Sequence, residues 1–165
     1  NRSGALLNDR LALAALSSVT SLLAFLLPER EPHPALYHRS ESLMDRLASP
    51  GWEAEYLRWE LALLEEMGFG LDLTRCAVTG SREGLVYVSP RTGRAVSAEG
   101  AGTYADRLLP LPASLLGQAD DAAGIARGLE TTGWFLERHL APQLGERPLP
   151  EARRRLADAL ARQSR

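Results

Sequence analysis

Lysine is missing altogether: all nineteen basic residues of the chain are arginines. Every cationic contact open to the protein is therefore a planar fork that can hold carboxylate or phosphate through two parallel hydrogen bonds. Cysteine is almost as scarce. Cys76 stands alone, which excludes an internal disulfide framework and any metal site built on two thiolates, and fits a reducing cytoplasm. Neither sign of charge dominates, since 19 basic residues face 21 acidic ones for a net charge of -2. No overall basic field marks the chain as a nucleic-acid binder. Long apolar runs are lacking too. None exceeds six residues, the length of Leu22 to Leu27, against the roughly 20 that a bilayer span requires, and Asp9, Arg10, Ser17, Ser18, Thr20 and Ser21 interrupt its surroundings. With no basic start, continuous apolar stretch and small-residue cleavage site in succession, neither a targeting segment nor a membrane span is expected. What remains is a globular balance: 165 residues, 45% hydrophobic and 24% charged. That suits one domain, or one domain with a small insertion, and excludes disordered and collagen-like chains. The first residue is Asn1 rather than Met, as expected of a piece of something longer.

Leu6, Leu7, Leu11, Ala14, Leu22 and Leu26 recur at three- and four-residue steps and predict a helix from about Leu6 to Leu27, stopped by Pro28. A punctuated turn, Glu29 to Pro34, leads to a second helix that begins at Pro34 and runs to about Ser49. Pro50-Gly51 breaks the chain, and Trp52, Tyr56, Trp59, Leu63 and Leu64 mark the stripe of a third helix that Gly68 stops. From Leu71 to Ala105 the helical period vanishes. Leu85-Val86-Tyr87-Val88 and Arg94-Ala95-Val96-Ser97 flank the loop Ser89 to Gly93, the pattern of a β-hairpin. Helix returns after Asp120, an N-cap residue, and continues to Leu140. A last helix begins near Pro150. The expected fold is mainly α: a helical bundle formed by residues 1–70 and 106–165, with residues 71–105 as a β-hairpin insertion.

Catalytic arrangements fail one by one. His33, His38 and His139 fall on different elements, without the pairing of a metallohydrolase helix, and read as surface or capping residues. Glu65 and Glu66 are adjacent on a helix, so their side chains point about 100° apart and do not converge on one substrate atom. No phosphate-cradling glycine loop or nucleophile elbow is present. Cys76 has no neighbouring His and reads as a small buried apolar residue. Its surroundings still have a pattern: Cys76-x-x-Thr79 and, about twenty residues on, Ser97-x-x-Gly100. Four cysteines at those positions would make a strong zinc site. One ligand of four does not, and no metal or cofactor is expected.

The run Tyr56 to Leu73, with Cys76 and Gly80 after it, resembles the RecO family of DNA repair and recombination proteins. So do Leu27-Pro28-Glu29-Arg30-Glu31-Pro32, Tyr87-Val88-Ser89-Pro90 with Val96, Thr132-Gly133-Trp134-Phe135-Leu136 and Leu149-Pro150-Glu151-Ala152-Arg153. The likeness covers nearly the whole chain in the family's order. It implies the helical C-terminal portion of such a protein, with the N-terminal OB-fold of the family missing from this chain. Many members carry a four-cysteine zinc site in the insertion, from which this sequence departs at Thr79, Ser97 and Gly100. The departure makes the insertion a degenerate zinc finger.

The resemblance implies a recombination mediator rather than an enzyme, cytoplasmic and nucleoid-associated. Its partners would be RecR, the acidic Phe-ended tail of the single-stranded-DNA-binding protein (SSB), and single-stranded DNA held mainly by the missing OB-fold. A tail site needs a cationic fork beside an apolar slot. Arg58, beside Leu57 and Leu61, meets that demand, although an Arg next to a core stripe can also be merely solvated. Arg153-Arg154-Arg155 suits phosphate by counterion release. Three consecutive residues spread around a helix, however, and Glu146, Glu151 and Asp158 lie close in sequence. Arg153 and Arg154 are therefore a weak nucleic-acid site on a solvated helix. The rival reading is a stand-alone helical scaffold or regulator without DNA function.

Overall fold

In the computed structural model the chain is described over residues 2–27, 32–145 and 147–165, with side chains in the first helix from Asn8 onward. The expected stop at Pro28, the Glu29–Glu31 turn and Glu146 lie outside the described residues. Helix α1 spans Arg2–Leu26, α2 Pro34–Arg46 and α3 Trp52–Glu66. Proline opens α2 as expected, but α2 ends at Arg46 rather than Ser49, because Leu47 is extended and Ala48 turns left-handed at φ 75°. Helix α3 closes on Gly68 as expected. The Gly68 N–H donates to Glu65 O at 3.0 Å and the Phe69 N–H to Leu64 O at 2.8 Å, which satisfies carbonyls the helix end would leave bare.

The hairpin forms where the period breaks. Strands β1 (Leu85–Val88) and β2 (Ala95–Ser97) pair antiparallel, with Val88 opposite Ala95 and an irregularity between Leu85 and Tyr87. A third strand, β3 (Leu109–Pro110), joins the other edge of β1. It lies past the expected boundary at 105, since a run of two residues carries no alternation to read. A single turn, α4 (Ala98–Ala101), follows β2. The hairpin loop is fastened to the bundle through Pro90, whose carbonyl accepts from Trp134 Nε1 at 3.1 Å and meets His139 Nε2 at 3.0 Å. His139 also stacks on Phe69 and Phe135, with centroids 4.4 and 5.3 Å away. It is a half-buried packing residue, not the surface histidine the sequence suggests.

Helix α5 spans Ala122–Phe135 and continues through a π-turn, Leu136–Leu140. Its cap is Asp121, whose carboxylate accepts from Gly124 N at 2.8 Å, one residue past the expected Asp120. Helix α6 spans Glu151–Gln163 and packs along α1. By length and composition the stretch Asn8–Leu26 is apolar enough to cross a membrane. Its inner face is core, however, with Ala15, Val19, Leu22 and Leu26 fully buried.

At the centre of the bundle lies a charged residue. Glu60 on α3 is fully buried; its Oε1 accepts from Thr132 Oγ1 at 2.6 Å and from Arg153 Nη2 at 2.9 Å. Its Oε2 accepts from Tyr56 OH at 2.5 Å and from Arg153 Nε at 3.1 Å. Ser18 Oγ lies 2.6 Å from the Tyr56 hydroxyl, and Arg153 Nη2 also donates to Leu129 O at 2.8 Å. One network thus ties α1, α3, α5 and α6 together.

Candidate partner-docking site

Helix α3 is packed on more than one side, and this decides which of its residues reach the surface. Leu57 is fully buried and lies so close to α5 that a Cβ on Gly128 would stand 2.5 Å from Leu57 Cδ2. The expectation that Leu57 lines a docking slot is corrected: it belongs to the α3–α5 contact. Arg58 and Leu61 are half-buried and do face a groove. The groove has a volume of about 470 Å³ and is lined by Leu61, Leu71, Leu73, Leu115 and Leu116 together with Arg39, Arg58 and Glu65. Sequence reading missed Leu71, Leu73, Leu115 and Leu116, because the fold delivers them from the 71–74 segment and the 113–116 turn rather than from α3.

Arg58 also borders a groove of about 790 Å³ between α2 and α3, shared with His38, Arg39 and Arg46, and one of about 370 Å³ beside α5 and α6. Its Nε is buried and has no hydrogen-bond partner among the described residues. Arg46 pairs with Glu55 at 3.0 Å, whereas no carboxylate among the described residues pairs with Arg39 or Arg58. A buried guanidinium N–H without an acceptor carries a desolvation penalty, which an incoming carboxylate or carbonyl would relieve. Chemically the site is two forks that no carboxylate pairs among the described residues, beside a leucine-lined slot that Glu65 also borders.

The weak nucleic-acid site fares differently at its two residues. Arg153 is 8% exposed and locked to Glu60, so its contact with phosphate is ruled out by burial. Burial alone would lower its pKa, but the Glu60 carboxylate outweighs burial and holds the guanidinium charged. Arg154 is exposed and paired with Glu151 and with Asp158, the latter at 3.3 Å.

The four degenerate zinc positions do converge. Cys76 Sγ accepts from the N–H groups of Val78 and Thr79 at 3.4 Å each and of Ser97 at 3.2 Å, and a Cβ on Gly100 would stand 2.7 Å from it. Burial pushes the thiol pKa up, and the hydrogen bonds from Ser97 and Thr79 more than reverse this, bringing it down to about 6. The donor set does not fit a metal. Thr79 Oγ1 accepts from Ser81 N, Ser97 Oγ accepts from Gly100 N, and Gly100 supplies nothing. No group of three or more His, Cys, Asp or Glu able to hold a metal occurs among the described residues.

A family profile described as "Recombination protein O C terminal" matches residues 7–148. The chain is 61% identical over 159 residues to "DNA repair protein RecO" of Cereibacter sphaeroides (strain ATCC 17029 / ATH 2.4.9), covering 96% of this chain and 66% of that protein. It is 58% identical over 164 residues to the protein so named in Ruegeria sp. (strain TM1040), covering 98% of this chain and 68% of that one. In Jannaschia sp. (strain CCS1) the figures are 55% over 162 residues, 98% and 66%. The chain spans about two thirds of the length of these relatives.

Proposed function

The chain belongs to the RecO family, and from that premise we propose that it is the partner-binding helical part of a recombination mediator acting in DNA repair, not an enzyme. It acts in the cytoplasm, at the nucleoid. Its groove at Arg39 and Arg58 takes the acidic, Phe-ended tail of SSB. RecR is a second partner, and single-stranded DNA is bound chiefly by the OB-fold of the full-length protein.

One observation carries this reading: Arg58, with a buried Nε lacking an acceptor, borders a slot walled by Leu61, Leu71, Leu73, Leu115 and Leu116. The tail's carboxylates would take the two forks and its terminal ring the leucines. A charge-assisted bond of this kind contributes about 1.5–3 kcal/mol when sheltered and less at an exposed rim. Titration of a labelled tail peptide tests the reading. Arg58→Glu should weaken binding at least roughly tenfold, about 1.4 kcal/mol, with little change in thermal stability, and wild-type affinity should fall as salt rises. Unchanged affinity in a folded Arg58→Glu protein would remove Arg58 from the site. No binding by the wild type would remove the tail from this groove.

A further inference from the structure

The insertion has its own small core, Cys76, Val96 and Ala101, with Leu85, Tyr87, Ala105 and Leu108 packed around it. A separate core this small needs a second fastening, and in zinc-ribbon geometry a cation provides it by joining two turns. Here the two turns are 76–81 and 97–100. The first is closed by Gly80 N to Cys76 O at 2.9 Å and Cys76 N to Ser81 O at 2.7 Å. The second is closed by Gly100 N to Ser97 Oγ at 2.9 Å, the cap of α4.

Both turns point donors at the same atom. Val78 N and Thr79 N come from the first; Ser97 N and Ser97 Oγ, the latter at 3.4 Å, come from the second. Ser97 works in both directions, since its hydroxyl accepts from Gly100 and donates to the sulfur. The space a fourth ligand would need is closed by the approach of Gly100 to the sulfur. We infer that the insertion is metal-independent, and that Cys76 Sγ itself joins the two turns as a common hydrogen-bond acceptor where a cation would otherwise stand. The alternative, a cysteine acting only as a small apolar filler, makes the opposite prediction for substitutions: valine should then serve well and serine badly.

Amide hydrogen exchange of the whole chain, read residue by residue, separates the two. Prolonged chelation and added zinc should each leave exchange and melting unchanged. Cys76→Val keeps the apolar volume but removes the acceptor. It should speed exchange at Val78, Thr79 and Ser97 by roughly tenfold or more, with α3 and α5 unaffected. Cys76→Ser keeps an acceptor and should speed the same amides less. Should Cys76→Val fail to fold, Ser97→Ala removes both the donor to the sulfur and the cap of α4, and should raise exchange at Val78 and Thr79 in the other turn as well as at Gly100; a rise at Gly100 alone would overturn the link. Unchanged exchange in Cys76→Val, a larger effect in Cys76→Ser than in Cys76→Val, or one metal ion per chain by elemental analysis after dialysis would each overturn the inference.

Discussion

The Glu60–Arg153 pair and the Cys76 sulfur are both polar centres inside apolar surroundings, yet the first joins residues 93 positions apart and the second residues 21 apart. The first is ionic and gathers side chains from α1, α3, α5 and α6. The second collects mostly backbone N–H groups from two neighbouring turns. Separation in sequence sets what each can govern. A long-range charged knot belongs to the cooperative unit, so damage there is felt by the whole bundle. A short-range knot of weaker bonds is expected to govern its own segment first. This division matches the layout of the proposed site, whose groove is lined partly from α3 and partly from the first residues of the insertion.

The comparison breaks first at Arg153. Removing one partner of a buried pair leaves the other charge uncompensated, a loss of about 3–5 kcal/mol. Arg153→Met should therefore lower the urea midpoint sharply, with α1, α3 and α6 losing exchange protection together. Replacing both partners, as Glu60→Leu with Arg153→Met, should recover most of that loss, because an apolar pair carries no stranded charge. The measurement is a double-mutant cycle in equilibrium unfolding. If the single variant cost little, the network would be peripheral, and the contrast with the insertion would collapse.

A smaller effect sharpens the contrast through two glycines. A Cβ at Gly128 would meet Leu57 Cδ2 at 2.5 Å, and Leu57 is fully buried. Gly128→Ala should lower global stability by about 1–3 kcal/mol, the usual range for overpacking. At Gly100 the clash is comparable, 2.7 Å to Cys76 Sγ, but the damage should stay local. Gly100→Ala should raise exchange at Val78, Thr79 and Ser97 while the midpoint of bundle unfolding holds. Equal loss of midpoint in both variants would show that the insertion and the bundle unfold as one.

How far the sequence could be read follows from the same contrast. The helices and the hairpin were legible because period and punctuation are local signals, and Trp52, Tyr56 and Trp59 fell in the core as their spacing implied. Glu60 is inconspicuous between Trp59 and Leu61. Yet it lies four residues after Tyr56 and three before Leu63, on the apolar stripe itself, and a carboxylate placed there requires a partner. Arg153 carried the matching signal, three residues before Leu156 and seven before Leu160, both buried. The triple-arginine run concealed it. Leu57 escapes a single-stripe reading, which gives α3 one buried face, whereas α2 packs on one side and α5 on another. The four zinc-like positions were readable as a pattern, but the donors aimed at the sulfur are mostly backbone groups. Backbone direction depends on the turn that forms, not on residue type.

The last expected effect is one of pH, confined to the insertion. The thiol of Cys76, raised by burial and lowered more strongly by the donors from Ser97 and Thr79, sits at about 6 in the fold, against about 8.5 for an unfolded cysteine. A depressed acid pKa means that the unfolded chain binds more protons between these values, so stability rises with pH there. The contribution is full above about 8.5 and is lost as pH falls to about 6. Serine does not ionise in this range, so the wild-type advantage over Cys76→Ser in exchange protection at Val78 and Thr79, corrected for the intrinsic pH dependence of exchange, should grow from pH 6 to pH 8.5. Bundle amides serve as the internal reference and should show no such difference between the two proteins. A wild-type advantage that stayed flat over this range would mean the sulfur accepts its hydrogen bonds as a neutral thiol. An advantage that shrank with rising pH would mean that the folded insertion favours the protonated sulfur, the reverse of what the donors around it require.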